Sequence, residues 1–228
     1  LPQQAPVLRT LECAGACLQA REVGGDYDDF LDLADGRLGL VLADISGKGI
    51  AAALLMANLQ AYIRSRYSLV RDDLPAWLCS LNRYLFETTP SSRFATLFVG
   101  RYEDESGRLL YANCGHNPPL LVRLDGTTEW LSPTAPVVGL LDIDEWSCDV
   151  GELAIHPGDT LVLYTDGVTE AQDGDGEFFD EERLVELVQQ HRQLPAPALL
   201  QTIIDVVTRF SGTVQEDDLT LVIARGLS

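Results

Sequence analysis

The chain has 228 residues, 46% of them hydrophobic, which suffices for a substantial core and argues against disorder. Acidic residues number 35 against 16 basic ones, and the resulting net charge of −19 repels phosphate backbones and anionic lipid, so nucleic-acid and membrane-surface binding are poor fits. No apolar run approaches the roughly 18–20 residues of a membrane span and no basic-then-apolar leader is visible. The five cysteines form no CxxC pair and no zinc-finger spacing, so they read as small buried residues of a reducing, cytoplasmic compartment.

In chain order, residues 11–20 read as a strand. Gly24-Gly25-Asp26 then leads into a second strand near 28–33, and Asp35-Gly36 makes a hairpin turn. Residues 38–43 are continuously apolar, as in a strand buried on both faces. After Asp44-Ile45-Ser46-Gly47-Lys48-Gly49, residues 50–67 lack Pro and Gly and read as a helix, with Ile50, Ala53, Leu54, Ala57 and Ala61 on the stripe expected to face a sheet. A second helix starts near Asp72-Asp73 with Pro75 in its first turn, and presents Leu74, Trp77, Leu78, Leu81 and Leu85.

Strands follow at 94–102, 109–113 and 120–124, with a Ser106-Gly107 turn and a rigid Gly115-His116-Asn117-Pro118-Pro119 turn between them. Residues 130–150 are loop-rich, and 160–164 is another buried strand. Amphipathic helices cover 180–192 and 196–210, and a last strand covers 219–224. Strands and helices come in blocks without strict alternation, which indicates an α+β layered fold with largely antiparallel sheets in one domain, residues 1–228. Position 1 is Leu, so the chain is expected to be the C-terminal part of a longer protein.

Asp26, Asp44, Asp166 and the Asp217-Asp218 pair all stand where a strand meets a glycine turn or loop. One such carboxylate is an ordinary turn residue. Four such places, each beside an apolar strand, point to acids converging at one sheet edge, where like charges need a cation between them. Oxygen-only donors suit Mg²⁺ or Mn²⁺, and several carboxylates suit a two-ion centre for phosphoester hydrolysis.

Five ordered stretches carry a family resemblance: Gly24-Gly25-Asp26-Tyr27 with Phe30; Asp44-Ile45-Ser46-Gly47-Lys48-Gly49; Gly115-His116-Asn117-Pro118-Pro119; Tyr164-Thr165-Asp166-Gly167-Val168-Thr169-Glu170-Ala171; and Asp217-Asp218-Leu219-Thr220. Together, from about residue 10 to the C-terminus, they resemble the bacterial branch of the metal-dependent (protein phosphatase 2C-like) protein phosphatases, the sporulation stage II protein E-like group that regulates sigma factors.

The resemblance implies an α-β-β-α sandwich of two antiparallel sheets flanked by helices. It implies two Mn²⁺ or Mg²⁺ ions held by Asp26, Asp44 in a bridging role, the Ile45 carbonyl and Asp166. Asp217 matches the family's last ligand better, with Asp218 the fallback. The implied reaction is direct attack of metal-bound hydroxide on a phosphoserine or phosphothreonine, without a covalent enzyme intermediate. The implied partners are a phosphorylated anti-sigma-factor antagonist-type protein, an upstream sensor domain or activator, and a second copy in a homodimer. Arg21 lies five residues before Asp26, where the eukaryotic branch places a phosphate-binding arginine. That branch reads Asp-Gly-His where this chain reads Asp44-Ile45-Ser46, so its proposed general-acid histidine is absent.

Other readings are weaker. Gly47-Lys48-Gly49 lacks the Ser or Thr and the spacing of a Walker loop, so the glycines serve a sharp strand-to-helix turn whose amides face a phosphate or its water shell. Tyr27-Asp28-Asp29 does not continue a diguanylate cyclase signature. His116 stands in a turn, which favours a structural role over a phosphorelay or catalytic one. A partner-controlled binding module with little activity on the same fold is the alternative to an enzyme. A nuclease conflicts with the charge.

Overall fold

The computed structural model describes residues 6–20, 22–67, 73–90, 92–212, 215 and 217–228. Among them, two five-stranded sheets are flanked by helices. One has the order β1 (Leu11–Leu18), β10 (Leu219–Gly226), β9 (Thr160–Tyr164), β6 (Leu120–Val122), β7 (Thr128–Trp130). The other has the order β2 (Tyr27–Asp32), β3 (Arg37–Ile45), β4 (Ala95–Glu103), β5 (Arg108–Cys114), β8 (Gly151–Ala154). All the strand pairings are antiparallel. Helices α1 (Ile50–Arg66) and α2 (Leu74–Thr88) cover the second sheet, and α4 (Asp180–His191) and α5 (Ala196–Ser211) the first. A single turn, α3 (Asp166–Thr169), follows β9. The α-β-β-α sandwich is therefore present, and no described helix is long and apolar enough to cross a membrane.

The layering follows from residue parity, because side chains alternate faces along a strand. In β3, Leu38, Leu40 and Leu42 enter the core between the sheets, while Val41, Ala43 and Ile45 pack under the helices. In β9, Leu161 and Leu163 face the opposite sheet, and Val162 and Tyr164 face α4 and α5. In β10, Val222 and Ala224 point inward, and Leu219, Leu221 and Ile223 outward to the helices. Central strands buried on both faces are mainly apolar, as the run at 38–43 is throughout and residues 161–163 are between Thr160 and Tyr164.

The helix stripe expected on α1 is the wrong one. Ile50 and Leu54 are exposed at 73% and 67%, and Ala57 and Ala61 are exposed as well; Ala52, Leu59, Tyr62 and Ile63 are buried instead. The alanines offer little area to bury, whereas Leu59, Tyr62 and Ile63 fill the space above the sheet, and Tyr62 stacks on Tyr84 of α2. Arg64 anchors the same face by a two-pronged bond to Asp29 on β2, both contacts at 2.7 Å. Asp73 caps α2 by accepting from the Ala76 N–H, while Asp72 lies outside the described residues. The short strands β7 and β8 border the stretch read as loop; with three and four residues they are too brief to show a pattern of their own.

Candidate metal centre

Continuing the same parity past the strand ends places the acidic residues. Asp44 is two residues beyond Leu42, and Asp26 two before Asp28 on the inter-sheet face of β2, where Tyr27 points to the helices and Phe30 to the opposite sheet. The pairing Tyr27↔Ala43 brings Asp26 and Asp44 next to each other across the β2–β3 ladder. From the other sheet, Thr165-Asp166 ends β9, and Asp217-Asp218 precedes β10, with Leu221↔Tyr164 in register. Four strand ends thus meet at one edge of the sandwich, over a cleft lined by Gly24, Gly25, Asp44, Lys48, Asp217 and Asp218.

The acids are not equivalent. Asp26 is 7% exposed, and its Oδ2 accepts from Thr165 Oγ1 at 2.8 Å and from Thr220 Oγ1. Asp218 is equally buried and has both oxygens engaged by backbone: Oδ1 accepts from the Ala20 N–H at 2.9 Å, and Oδ2 from the Gly25 N–H at 3.1 Å. A Cβ at position 24 would collide with Asp218 Oδ2, so only glycine lets that loop close over the carboxylate. Asp217 faces outward, its side chain 43% exposed and its Oδ2 2.9 Å from Lys48 Nζ.

Crowding shows in the protonation equilibria. Burial, and then the charge of Asp44, pushes the Asp26 carboxyl up, although the Thr220 and Thr165 hydroxyls pull it down. Burial, and then Asp166 and Asp217, pushes Asp44 up, and the Asp26 carboxyl lies within hydrogen-bond reach of it. Asp166 is raised by burial and by Asp217, and Glu170 by burial and by Asp166. Among the described residues, no three His, Cys, Asp or Glu side chains close on a single point as a finished ligand set. The carboxylates are gathered without being collapsed onto one another, and their shared excess of negative charge fits a hard divalent cation bound through oxygen.

Gly47 lines the same cleft at φ 88°, with the Arg93 guanidinium packed on its Cα and donating to the Ser46 carbonyl. Arg21 lies outside the described residues. His116 is 2% exposed, with Nδ1 2.8 Å from Thr96 Oγ1 and its N–H donating to Asn113 Oδ1, and burial lowers its pKa to about 4. It is neutral at pH 7 and holds the turn.

Sequence reasoning passed over Thr165, Thr220 and Arg93. The signal for the threonines was present, since Thr165 stands next to Asp166 and Thr220 two residues after Asp218. Arg93 left no trace, because its place against Ser46 and Gly47 depends on the pairing of β3 with β4.

Similarity to known proteins places the chain in a family. The family model for stage II sporulation protein E matches residues 34–226. Protein IcfG of Synechocystis sp. is 29% identical over 97% of this chain, which covers 39% of that protein. Phosphoserine phosphatase RsbU of Bacillus subtilis is 27% identical over 99% of this chain, which covers 66% of that protein, so the chain spans under two thirds of these relatives. The solved RsbU and RsbW domains of Rv1364c from Mycobacterium tuberculosis superpose with a TM-score of 0.85 at 28% identity, covering 100% of this chain and 64% of that one. The chain belongs to the stage II sporulation protein E family of PP2C-like, metal-dependent phosphatase domains.

Proposed function

We propose that this chain hydrolyses phosphoserine or phosphothreonine on a regulatory protein of the anti-sigma-factor-antagonist type, as the Mn²⁺- or Mg²⁺-dependent domain of a longer cytoplasmic protein with an upstream sensor. One observation carries this reading. Acids from four strand ends and both sheets are held at one edge, with Asp26 pushed toward protonation by burial and the charge of Asp44, and Asp44 by burial and the charges of Asp166 and Asp217. A fold gains nothing from that arrangement unless cations compensate it.

Asp26, Asp44, the Ile45 carbonyl, Asp166 and Asp217 are the groups that would hold two ions. Asp217 is preferred to Asp218 because its side chain is 43% exposed on the cleft, with Oδ1 accepting only from the adjacent Asp218 N–H and Oδ2 facing Lys48, whereas Asp218 is buried with its two oxygens held by the N–H groups of Ala20 and Gly25. When bound, such ions supply an activated water and offset charge building on the phosphoryl oxygens. The chain's own contribution is positioning and charge. Lys48 at the rim and Arg93 behind Gly47 give positive potential beside the acids, and the glycine turn aims the first amides of α1 at the cleft. His116, buried and with its pKa lowered to about 4 by burial, is assigned a structural role in its turn and no proton transfer. The likeness to a protein named phosphoserine phosphatase supports the substrate class.

The test is hydrolysis of p-nitrophenyl phosphate and of a phosphoserine peptide with and without Mn²⁺. The wild-type chain is expected to hydrolyse both only with metal, and Asp44→Asn to lose at least about 100-fold in rate with an unchanged circular dichroism spectrum. Metal-dependent activity retained in Asp44→Asn, or none in the wild type at millimolar Mn²⁺, refutes the reading.

A further inference from the structure

We propose that Thr165 and Thr220 are positioning residues that clamp one oxygen of Asp26, so that the carboxylate turns its other oxygen, Oδ1, to the metal. This inference rests on the phosphatase reading above and deepens it. Both hydroxyls reach the same atom, Asp26 Oδ2. Each threonine is fully buried, so neither hydroxyl has water as an alternative partner.

The direction of the bonds is fixed by the backbone. The Thr220 N–H donates to Thr165 Oγ1 at 3.1 Å and occupies an acceptor site of that hydroxyl, whose single proton has Asp26 Oδ2 at 2.8 Å as its nearer acceptor and the Asp218 carbonyl at 3.5 Å as its farther one. The Thr165 N–H donates to the Thr220 carbonyl at 3.1 Å, so the two residues lock each other across the ends of β9 and β10. Threonine is stiff about its first side-chain torsion, so both hydroxyls are aimed before any ligand arrives.

The clamp also joins the two sheets. Its donors come from the β9–β10 side and its acceptor from the start of β2 in the other sheet. Besides these two hydroxyls, the Asp26 carboxyl has the Asp44 carboxyl within hydrogen-bond reach. An acid with one oxygen saturated by two donors has a set plane and offers a single free oxygen. Outer hydrogen bonds of this kind orient metal-binding groups and tune their affinity.

The experiment compares wild type with Thr165→Val, Thr220→Val and Thr220→Ser. Valine replaces the hydroxyl by a methyl of similar shape, and serine restores the hydroxyl without the methyl. Mn²⁺ binding is read by titration calorimetry, turnover by p-nitrophenyl phosphate hydrolysis at saturating Mn²⁺, and folding by thermal unfolding of the metal-free protein. Each valine variant is expected to bind Mn²⁺ about 10- to 100-fold more weakly. Its kcat should fall while KM moves less than about threefold, the mark of an interaction that counts in the transition state. Thr220→Ser should regain most of the affinity.

Valine variants that bind Mn²⁺ as tightly as wild type overturn the clamp and leave the phosphatase reading standing. A serine variant as weak as the valine variant also overturns it, since the loss then follows the methyl packing. Wild-type protein that neither binds Mn²⁺ nor hydrolyses the ester overturns both.

Discussion

Adjacent residues with the same side chain should fail in opposite ways when truncated. Asp218→Ala removes the acceptor for the Ala20 and Gly25 N–H groups. Hydrogen bonds to a charged group contribute roughly 1.5–3 kcal/mol each, so the gross loss is about 3–6 kcal/mol. Part is recovered, because the Asp218 charge also pushes up the carboxyls of Asp26 and Asp44, and that repulsion disappears. A net loss of about 2–3 kcal/mol remains, which in a domain of this size lowers Tm by roughly 5–10 °C. Asp217→Ala removes an ion pair to Lys48 in which both side chains are over 40% exposed, worth about 0–1 kcal/mol, and a local acceptor for the Asp218 N–H, a loss offset by removing the Asp217 charge that pushes up Asp44 and Asp166. Its Tm should stay within about 2 °C of wild type, and its metal-dependent turnover should fall by about 100-fold. Thermal unfolding of the metal-free proteins, paired with p-nitrophenyl phosphate turnover, reads both quantities. An Asp217→Ala protein that melts lower than Asp218→Ala, or an Asp218→Ala protein that melts like wild type, refutes the division of labour. Gly24→Ala attacks the same closure from the other side, and its Tm should fall alongside that of Asp218→Ala.

Two further outcomes are expected. The buried His116 has its pKa lowered to about 4, so between pH 4 and 6.5 the unfolded chain takes up a proton that the folded chain refuses. The His116 contribution to stability is therefore fully present above pH 6.5 and is lost as pH drops through that window, by roughly 3 kcal/mol at full extent; denaturant titrations at pH 7 and pH 4.5 should show a more negative change in stability on acidification in wild type than in His116→Gln. Arg64→Met leaves Asp29, whose side chain is 1% exposed, without its guanidinium partner. Because Arg64 is itself a third exposed, the expected loss is about 2–3 kcal/mol, below that of a fully buried pair, and urea unfolding measures it directly.

Much of the architecture was legible in the residues. The runs at 38–43 and 161–163 announced strands covered on both faces, since burying polar groups there is costly. The amphipathic patterns of α2, α4 and α5 were equally readable, because each has one face of large apolar side chains. For α1 the pattern misled. It is apolar or small nearly all round, so periodicity alone did not choose a face, and the sheet selected the side carrying Leu59, Tyr62 and Ile63.

The candidate site divides in the same way. Which residues carry charge, that they stand at strand ends, and that glycines flank them are local properties, set by residue type and spacing. How they work together depends on contacts between distant segments. The two sheets had to pair and pack before Asp26 could meet Thr165 and Thr220 across the sandwich. The Gly24–Gly25 loop had to fold over Asp218 before that acid could be told apart from its neighbour Asp217. Residues 26, 44, 166 and 217 are far apart along the chain, and it is the antiparallel register of β3 with β2 and of β10 with β9 that converts four separate turns into one edge.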